Sequence, residues 1–335
     1  MRGDVVVGVS GEGGQELPVA IVGAGPCGIA AAVALKGVGI PSVVFDKGCV
    51  VQAIADYPIA LTMFSTPEKL VVGGVPFECA GFRPTRAETL AYYRRVVAEH
   101  GLKIRQHERV TSVVPRGDGS FAVHTPRGVT PASRVVVATG YFDYPNLLGV
   151  PGEDLPHVAH RFVDGHAAFQ RYVVVVGGGN SAAEAAIELA RCGARVTQVH
   201  YEPAFTSHVI KPWILPEYQD LVATGAITQR FNARVSAIEE RWATIASGDA
   251  STRVPAELVY LMTGYRPRPG LLGALGVPFD PATGIPAHDP DTMETPIRGV
   301  FACGVMTSGF KANGIFIENG RGHGELIARH LAGSR

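Results

Sequence analysis

Two glycine-rich turns, each set between a short apolar strand and an alanine-rich helix, constrain this chain more than any other feature. In the first, Val19 to Val22 runs into Gly23-Ala24-Gly25-Pro26-Cys27-Gly28, and a helix is predicted as far as Gly37 to Gly39. In the second, Tyr172 to Val176 runs into Gly177-Gly178-Gly179-Asn180-Ser181-Ala182, with a helix predicted through Glu184, Ile187 and Leu189. The GxGxxG spacing has a mechanical meaning. The first glycine makes the tight turn, the second lets the backbone approach a pyrophosphate at the positive end of the helix, and the third lets helix and strand pack closely. Ala182 in the third place of the second turn is a variant the pattern allows. The next strand of the first unit, Ser42 to Phe45, ends in Asp46, where a carboxylate can accept both hydroxyls of an adenosine ribose. A glycine turn without a ligand is the plainer alternative, and the agreement of strand, glycines, helix, strand and acid weighs against it.

Two further strand-to-turn segments, Val135-Val136-Val137-Ala138-Thr139-Gly140 and Leu258-Val259-Tyr260-Leu261-Met262-Thr263-Gly264, have the wording of crossing points between domains. They divide the chain into a first dinucleotide-binding domain, residues 17–146 and 266–335, and a second, residues 147–265, inserted in it. The predicted fold class is α/β, with two Rossmann-like domains. The returning tail carries Gly299-Val300-Phe301-Ala302-Cys303-Gly304, a strand entering a glycine turn. Gly314 to Leu326 is predicted as one helix whose N-terminus can face a ligand.

Composition narrows the function. With 335 residues, 46% hydrophobic and 18% charged, the chain can bury two cores. Thirty basic residues balance thirty acidic ones, so the chain lacks the basic excess that phosphate-backbone binding needs, and no nucleic-acid partner is expected. No apolar run reaches the roughly 20 residues that cross a bilayer, and the first residues lack the apolar core of a signal peptide. A cytoplasmic protein without a membrane partner is the expectation. Cys27, Cys49, Cys79, Cys192 and Cys303 are scattered, with no CxxC and no metal-ligand spacing, so neither a disulfide framework nor a metal site is expected.

The paired fingerprints, the paired crossings and the returning tail resemble the thioredoxin reductase-like flavoproteins, over the stretch from Leu17 to Leu331. Several longer segments sharpen the match. Gly25-Pro26-Cys27-Gly28, Lys47-Gly48-Cys49-Val50-Val51, Phe64-Ser65-Thr66-Pro67-Glu68-Lys69-Leu70, Lys211-Pro212-Trp213-Ile214-Leu215-Pro216 and Ile315-Phe316-Ile317-Glu318-Asn319-Gly320-Arg321 closely resemble the bacillithiol disulfide reductase family. The resemblance implies FAD in the first domain, NADPH in the second, reduction of the disulfide of a low-molecular-weight thiol, and a homodimer. Combined with the turns, it gives a cofactor-binding set. Gly23, Gly25, Pro26, Cys27 and Gly28 form the first turn, followed by Asp46, Lys47, Gln52, Thr62 and Val110. Thr139, Gly140 and Gly264 lie at the crossings. Gly177, Gly179, Asn180 and Ser181 form the second turn, with His200 and Lys211, and Gly304 and Ile315 belong to the tail. Two departures stand out. Many flavoproteins of the larger group have Gly-Asp at the tail turn, where this chain has Gly304-Val305. NADPH-using relatives place arginines at the end of the second nucleotide strand to pair with the 2′-phosphate, where this chain has His200-Tyr201-Glu202. Glu202 repels a phosphate; Lys211 is a candidate to compensate, and NADH stays open.

Hydride transfer asks little of protein side chains, but disulfide reduction needs a group that meets sulfur. Cys27 is the candidate. A cysteine in the first helical turn can have its thiolate stabilised by the helix dipole, whereas a pyrophosphate at the same end pushes the thiol the other way. The alternative is a small residue filling the fingerprint's variable slot. Cys49 falls in a loop beside the nucleotide, and Cys79, Cys192 and Cys303 read as small buried residues. His323 is the candidate proton donor to a leaving thiolate, against the plainer reading of a surface helix histidine. Lys211 and Trp213 suit either acidic groups of a substrate or a packed, proline-rich loop. Without CxxC, thioredoxin is not the expected acceptor. A flavin monooxygenase is disfavoured because His157 comes one residue late for its spacing. A ferredoxin or flavodoxin reductase and a flavin-bound redox sensor remain as alternatives.

Overall fold

Strands buried on both faces must be apolar along their whole length, and the valine runs of this chain form the central strands of two parallel sheets. The computed structural model describes residues 16–205, 210–311 and 314–334. The chain opens with β1 (Val19–Val22), α1 (Pro26–Gly37) and β2 (Ser42–Phe45). Short helices α2 (Gln52–Ala55) and α3 (Pro67–Leu70) precede α4 (Arg86–Glu99) and β3 (Ile104–Arg105). An antiparallel sheet of β4 (Ser112–Pro115), β5 (Phe121–Thr125) and β6 (Gly128–Ala132) leads into β7 (Arg134–Val137).

The second unit begins with β8 (Val158–Ala159), β9 (Tyr172–Val176), α5 (Asn180–Arg191) and β10 (Arg195–Val199), then α6 (Leu215–Ala223) and β11 (Ile227–Arg230). A second antiparallel sheet of β12 (Arg234–Ile238), β13 (Trp242–Ser247) and β14 (Ala250–Pro255) precedes β15 (Leu258–Leu261). The tail supplies α7 (Gly270–Ala274), β16 (Val300–Ala302), α8 (Ile317–Gly320) and α9 (His323–Gly333). One parallel sheet has the order β16-β7-β1-β2-β3 and the other β11-β10-β9-β15-β8, so β16 returns from the tail to join the opening sheet. No helix among the described residues is long and apolar enough to cross a membrane.

Where the chain passes between the sheets, its two strands are tied together. Asn146 N–H donates to Gly264 O at 2.9 Å, Asn146 Nδ2 to Thr263 O at 3.1 Å, and Thr263 Oγ1 to Asn146 O at 2.6 Å. Tyr57, Tyr141, Phe142 and Tyr265 stack edge-on around this strap, and Arg161 reaches across it to Asp56 and Phe142 O.

The tail differs from expectation. The helix predicted over 314–326 is two elements, α8 and α9, because Gly320, Gly322 and Gly324 weaken any continuous helix there. Gly324 has a packing role: a Cβ added to it would lie 2.5 Å from Ala31 Cα, so α9 lies directly against α1. Leu35 and Ile327 are fully buried in that contact, each stabilising the fold by roughly 1.5–3 kcal/mol. Cys303 is buried as expected, whereas Cys79 and Cys192 are only half-buried.

On α5 the alanines, Ile187 and Leu189 face the core, while Glu184 is half-buried next to Glu188. Burial, and then the Glu188 carboxylate, push the Glu184 carboxyl up to about 7. The unfolded chain releases this proton near 4.5 and the folded protein holds it to about 7, so stability falls as pH rises through that window. Glu184→Gln is therefore expected to raise the unfolding free energy at pH ~8 by up to about 3 kcal/mol and to change it little at pH ~4, as read from urea unfolding at both pH values.

Candidate functional site

The C-terminal ends of β1, β7 and β16 lie level, because Ala138 N–H donates to Val22 O and Cys303 N–H to Val137 O, at 2.8 and 2.9 Å. This register brings Gly23, Thr139-Gly140 and Gly304 to one edge of the sheet, the edge where open α/β sheets bind ligands. At the first turn Gly28 has no room for a side chain, since an added Cβ would stand 1.9 Å from Gly23 O. Gly25, by contrast, faces open space with no protein atom within 4 Å of an added Cβ. An open glycine at the N-terminus of a 12-residue helix is a cradle of the size and polarity a pyrophosphate needs, so these residues fit a dinucleotide.

Asp46 is fixed for its role by the backbone. Its Oδ2 accepts the Ala24 N–H and its Oδ1 the Gly48 N–H, both at 2.7 Å, leaving a further lone pair on each oxygen for a ribose. Lys47 pairs with Asp143, and Gln52 accepts the Cys49 N–H at 3.1 Å while donating to Asp56 at 2.7 Å. Thr62 is exposed and bridges to Thr85, and Val110 is buried among the core residues beneath β4 and β5.

The second turn repeats this architecture. Gly177 N–H donates to Val199 O at 3.0 Å, and Gly177 adopts φ +142°, where an added Cβ would meet Met262 O at 2.3 Å. Gly179 again faces open space at the head of a 12-residue helix, with Ser181 exposed in its first turn. Gly264 lies just beyond β15, hydrogen-bonded to Asn146. His200 takes the place that Asp46 holds in the first unit. Its ring lies under Gly178, 2.1–2.5 Å from where a Cβ would be, and its Nε2 is 3.3 Å from Glu202 Oε2. Lys211 donates its N–H to Asn180 Oδ1 at 2.8 Å, but its Nζ makes no ion pair with Glu202 among the described residues and lies over Phe64 and Phe316 instead. The cation that does reach this strand end is Arg234, whose guanidinium is 4.7 Å from the Tyr201 ring. Sequence reasoning missed it, because it comes from β12 and no local pattern announces that return.

Cys27, the second residue of α1, is enclosed by chain segments remote in sequence. Added Cβ atoms on Gly304 and on Gly320 would each lie 3.0 Å from its Sγ, and the buried Cys303 directs its own Sγ to Cys27 O at 3.7 Å. Part of Cys27 stays solvent-accessible, yet burial of its thiol pushes it up to about 12, so desolvation outweighs the helix N-terminus. Tyr93, fully buried on α4, has a hydroxyl without a hydrogen-bond partner among the described residues, and burial followed by the neighbouring Cys27 pushes that hydroxyl up. All five cysteines are free thiols. The structure thus brings Cys27, Cys303, Gly304 and Ile315 together, with Ile315 Cγ2 also 3.0 Å from the position of a Gly320 Cβ.

His323 opens α9 and is half-buried, not displayed on a surface. Its Nδ1 accepts the Gly304 N–H at 3.1 Å, and burial together with His288 lowers its pKa. A neutral imidazole with Nδ1 as acceptor anchors the tail turn at Gly304-Val305, the place where an aspartate stands in many flavoproteins.

Residues 20–304 match the family described as Pyridine nucleotide-disulphide oxidoreductase. The chain is 44% identical over 313 residues to Bacilliredoxin reductase Bdr of Bacillus subtilis (strain 168), covering 93% of this chain and 96% of that one. Among solved structures it resembles Bacillithiol Disulfide Reductase Bdr from Bacillus cereus, with a TM-score of 0.92, 44% identity, and 96% and 100% of the two chains covered. The Staphylococcus aureus Bacillithiol Disulfide Reductase Bdr superposes with the same TM-score at 37% identity, covering 96% and 99%.

Proposed function

The chain belongs to the pyridine nucleotide-disulphide oxidoreductases, and within them to the bacillithiol disulfide reductases; from that premise we propose that it reduces bacillithiol disulfide with NADPH through FAD. In this reading residues 17–146 and 266–335 hold the FAD, residues 147–265 hold the NADPH, and the protein works as a cytoplasmic homodimer. The observation that carries it is the enclosure of Cys27 within the first nucleotide turn by the tail segments at Gly304 and Gly320, in a chain with no CxxC pair.

When bound, flavin and nicotinamide supply the two-electron chemistry. The protein's part is to hold and orient them. Gly25 and Gly179 open the two pyrophosphate cradles, Asp46 presents its carboxylate to the first ribose, and Thr139, Gly140 and Gly304 line the edge of the first sheet beside Gly23. Overall, one disulfide, one NADPH and one proton give two thiols and NADP⁺. Cys27 is placed to exchange with the incoming disulfide: because burial holds its thiol protonated, that proton must leave before its sulfur can bond to one half and release the other as a thiol, and the two electrons that bound flavin would supply are what frees the second thiol and Cys27 from the mixed disulfide. His323 serves this site by fixing Gly304 in place.

The choice of NADPH rests on Arg234. Its guanidinium over Tyr201 supplies the positive charge that the His200-Tyr201-Glu202 strand end lacks, while Glu202 is engaged by His200. Arg234→Ala is expected to shift the kcat/KM ratio of NADPH to NADH toward NADH by about tenfold, in steady-state assays with both coenzymes. An unchanged ratio would show that Arg234 does not set the coenzyme preference, and a wild-type ratio in favour of NADH would overturn NADPH as the coenzyme.

The test of the function is anaerobic NADPH oxidation by the purified yellow protein with bacillithiol disulfide added. Disulfide-dependent turnover is expected. Fast flavin reduction without it, together with electron delivery to added ferredoxin, would replace this reading with a ferredoxin reductase.

A further inference from the structure

Three of the family-like segments, Phe64 to Leu70, Lys211 to Pro216 and Ile315 to Arg321, lie outside the two glycine-rich turns in sequence, yet the fold brings them to one place. Lys211 Nζ lies 5.9 Å from the Phe64 ring centroid and 5.8 Å from that of Phe316. Trp213 meets Phe64 edge-on at 6.1 Å, and the Arg83 guanidinium covers Trp213 at 3.8 Å. Ser65 Oγ donates to Glu318, and Lys69 Nζ is 3.5 Å from the same carboxylate. The cluster straddles the seam between the two units, and Trp213 and Phe316 remain 46% and 45% exposed, so it is open to a ligand.

Its charge is unbalanced. Of the two acids in these segments, Glu318 is already engaged by Ser65 and Lys69, and Glu68 is exposed and hydrogen-bonded by Thr66. Among the described residues neither Lys211 Nζ nor the Arg83 guanidinium has a carboxylate within 4.0 Å, and Arg83 Nε is buried with no acceptor. Two cations held over aromatic faces, one with an unsatisfied buried donor, form a receptor for carboxylates. The receptor also lies beside the sulfur site. Phe316 follows Ile315, and Ile315 and Cys27 both face Gly320, so a single residue separates the aromatic platform from the enclosure of Cys27.

We infer that Lys211 and Arg83, on the platform of Phe64, Trp213 and Phe316, bind the carboxylate groups of a small acidic disulfide and present its sulfur–sulfur bond toward Cys27. The inference rests on the disulfide reductase reading and adds to it a residue-level basis for substrate choice. The competing assignment for Lys211 is a phosphate of the nicotinamide coenzyme, and the test separates the two.

The probes are dithiodiglycolate, which carries a carboxylate on each half, and neutral hydroxyethyl disulfide. In the holoenzyme, Lys211→Met is expected to lower the ratio of kcat/KM for dithiodiglycolate to that for hydroxyethyl disulfide by about tenfold, and adding Arg83→Met should lower it further. A binding measurement independent of turnover uses the two tryptophans of the chain. In a Trp242→Phe background, Trp213 emission should respond saturably to dithiodiglycolate, and Lys211→Met should abolish the response. Equal losses on both disulfides, a raised KM for NADPH with the disulfide ratio intact, or no Trp213 response would each overturn the inference. If the wild type bleaches its flavin but reduces no disulfide, the reductase reading fails, while the Trp213 titration still decides whether the acid binds.

Discussion

Gly177→Val is expected to slow reduction of the flavin by NADPH at least about a hundredfold while the purified protein remains yellow. At φ +142° a branched side chain is strained, and its Cβ would sit 2.3 Å from Met262 O, so the second turn has to move. The first turn, on the other sheet, is untouched. Gly179→Val makes the same point without disturbing the protein's own packing, because its side chain would enter open space at the head of α5, in the proposed pyrophosphate cradle. Stopped-flow bleaching and flavin content, measured on both variants, decide the matter. A colourless Gly177→Val protein that still folds would mean that the two cofactors occupy the opposite units.

Cys27→Ser is expected to remove disulfide-dependent NADPH oxidation by at least about a hundredfold while NADPH still bleaches the flavin. Serine keeps the size and loses the exchange chemistry. The same argument gives a pH dependence. With the thiol pushed up to about 12, its thiolate fraction grows about tenfold per pH unit between pH ~7 and ~9, so alkylation of Cys27 should accelerate with pH and lag behind that of half-exposed Cys49, Cys79 and Cys192. Mass spectrometry of timed iodoacetamide labelling reads this directly. Full turnover in Cys27→Ser would show that electrons leave the flavin without passing through this sulfur.

The elements legible in the sequence were those whose physics is local. Valine-rich runs predicted β1, β2 and β9 within a residue or so of where they lie, because strands buried on both faces have no other composition to use, and the apolar run Leu258 to Leu261 predicted β15. The turns at Gly23 and Gly177 were legible because their spacing is dictated by backbone geometry. The tail was read as one helix because glycine's weakening effect is small at any single position and is decisive only when Gly320, Gly322 and Gly324 fall together. What stayed hidden depends on contacts between distant segments. Nothing near Cys27 in sequence points to Tyr93 or Cys303, nothing near Tyr201 points to Arg234, and nothing near Trp213 points to Arg83. His323 was singled out for its chemistry, but whether it donates a proton or holds a turn depends on which backbone N–H its ring meets.

The strap at Asn146 and Gly264 also bears on how the protein is made. The segment between those residues leaves and rejoins the rest of the chain at one point, so on a ribosome it emerges whole before the strand and helix that follow it can reach the opening sheet. The opening sheet has no such freedom: its edge strand β16 and the helix α9 that covers α1 come after the inserted segment in the chain. The nascent chain must therefore carry an unfinished sheet, with the surface of α1 uncovered, throughout synthesis of the inserted segment.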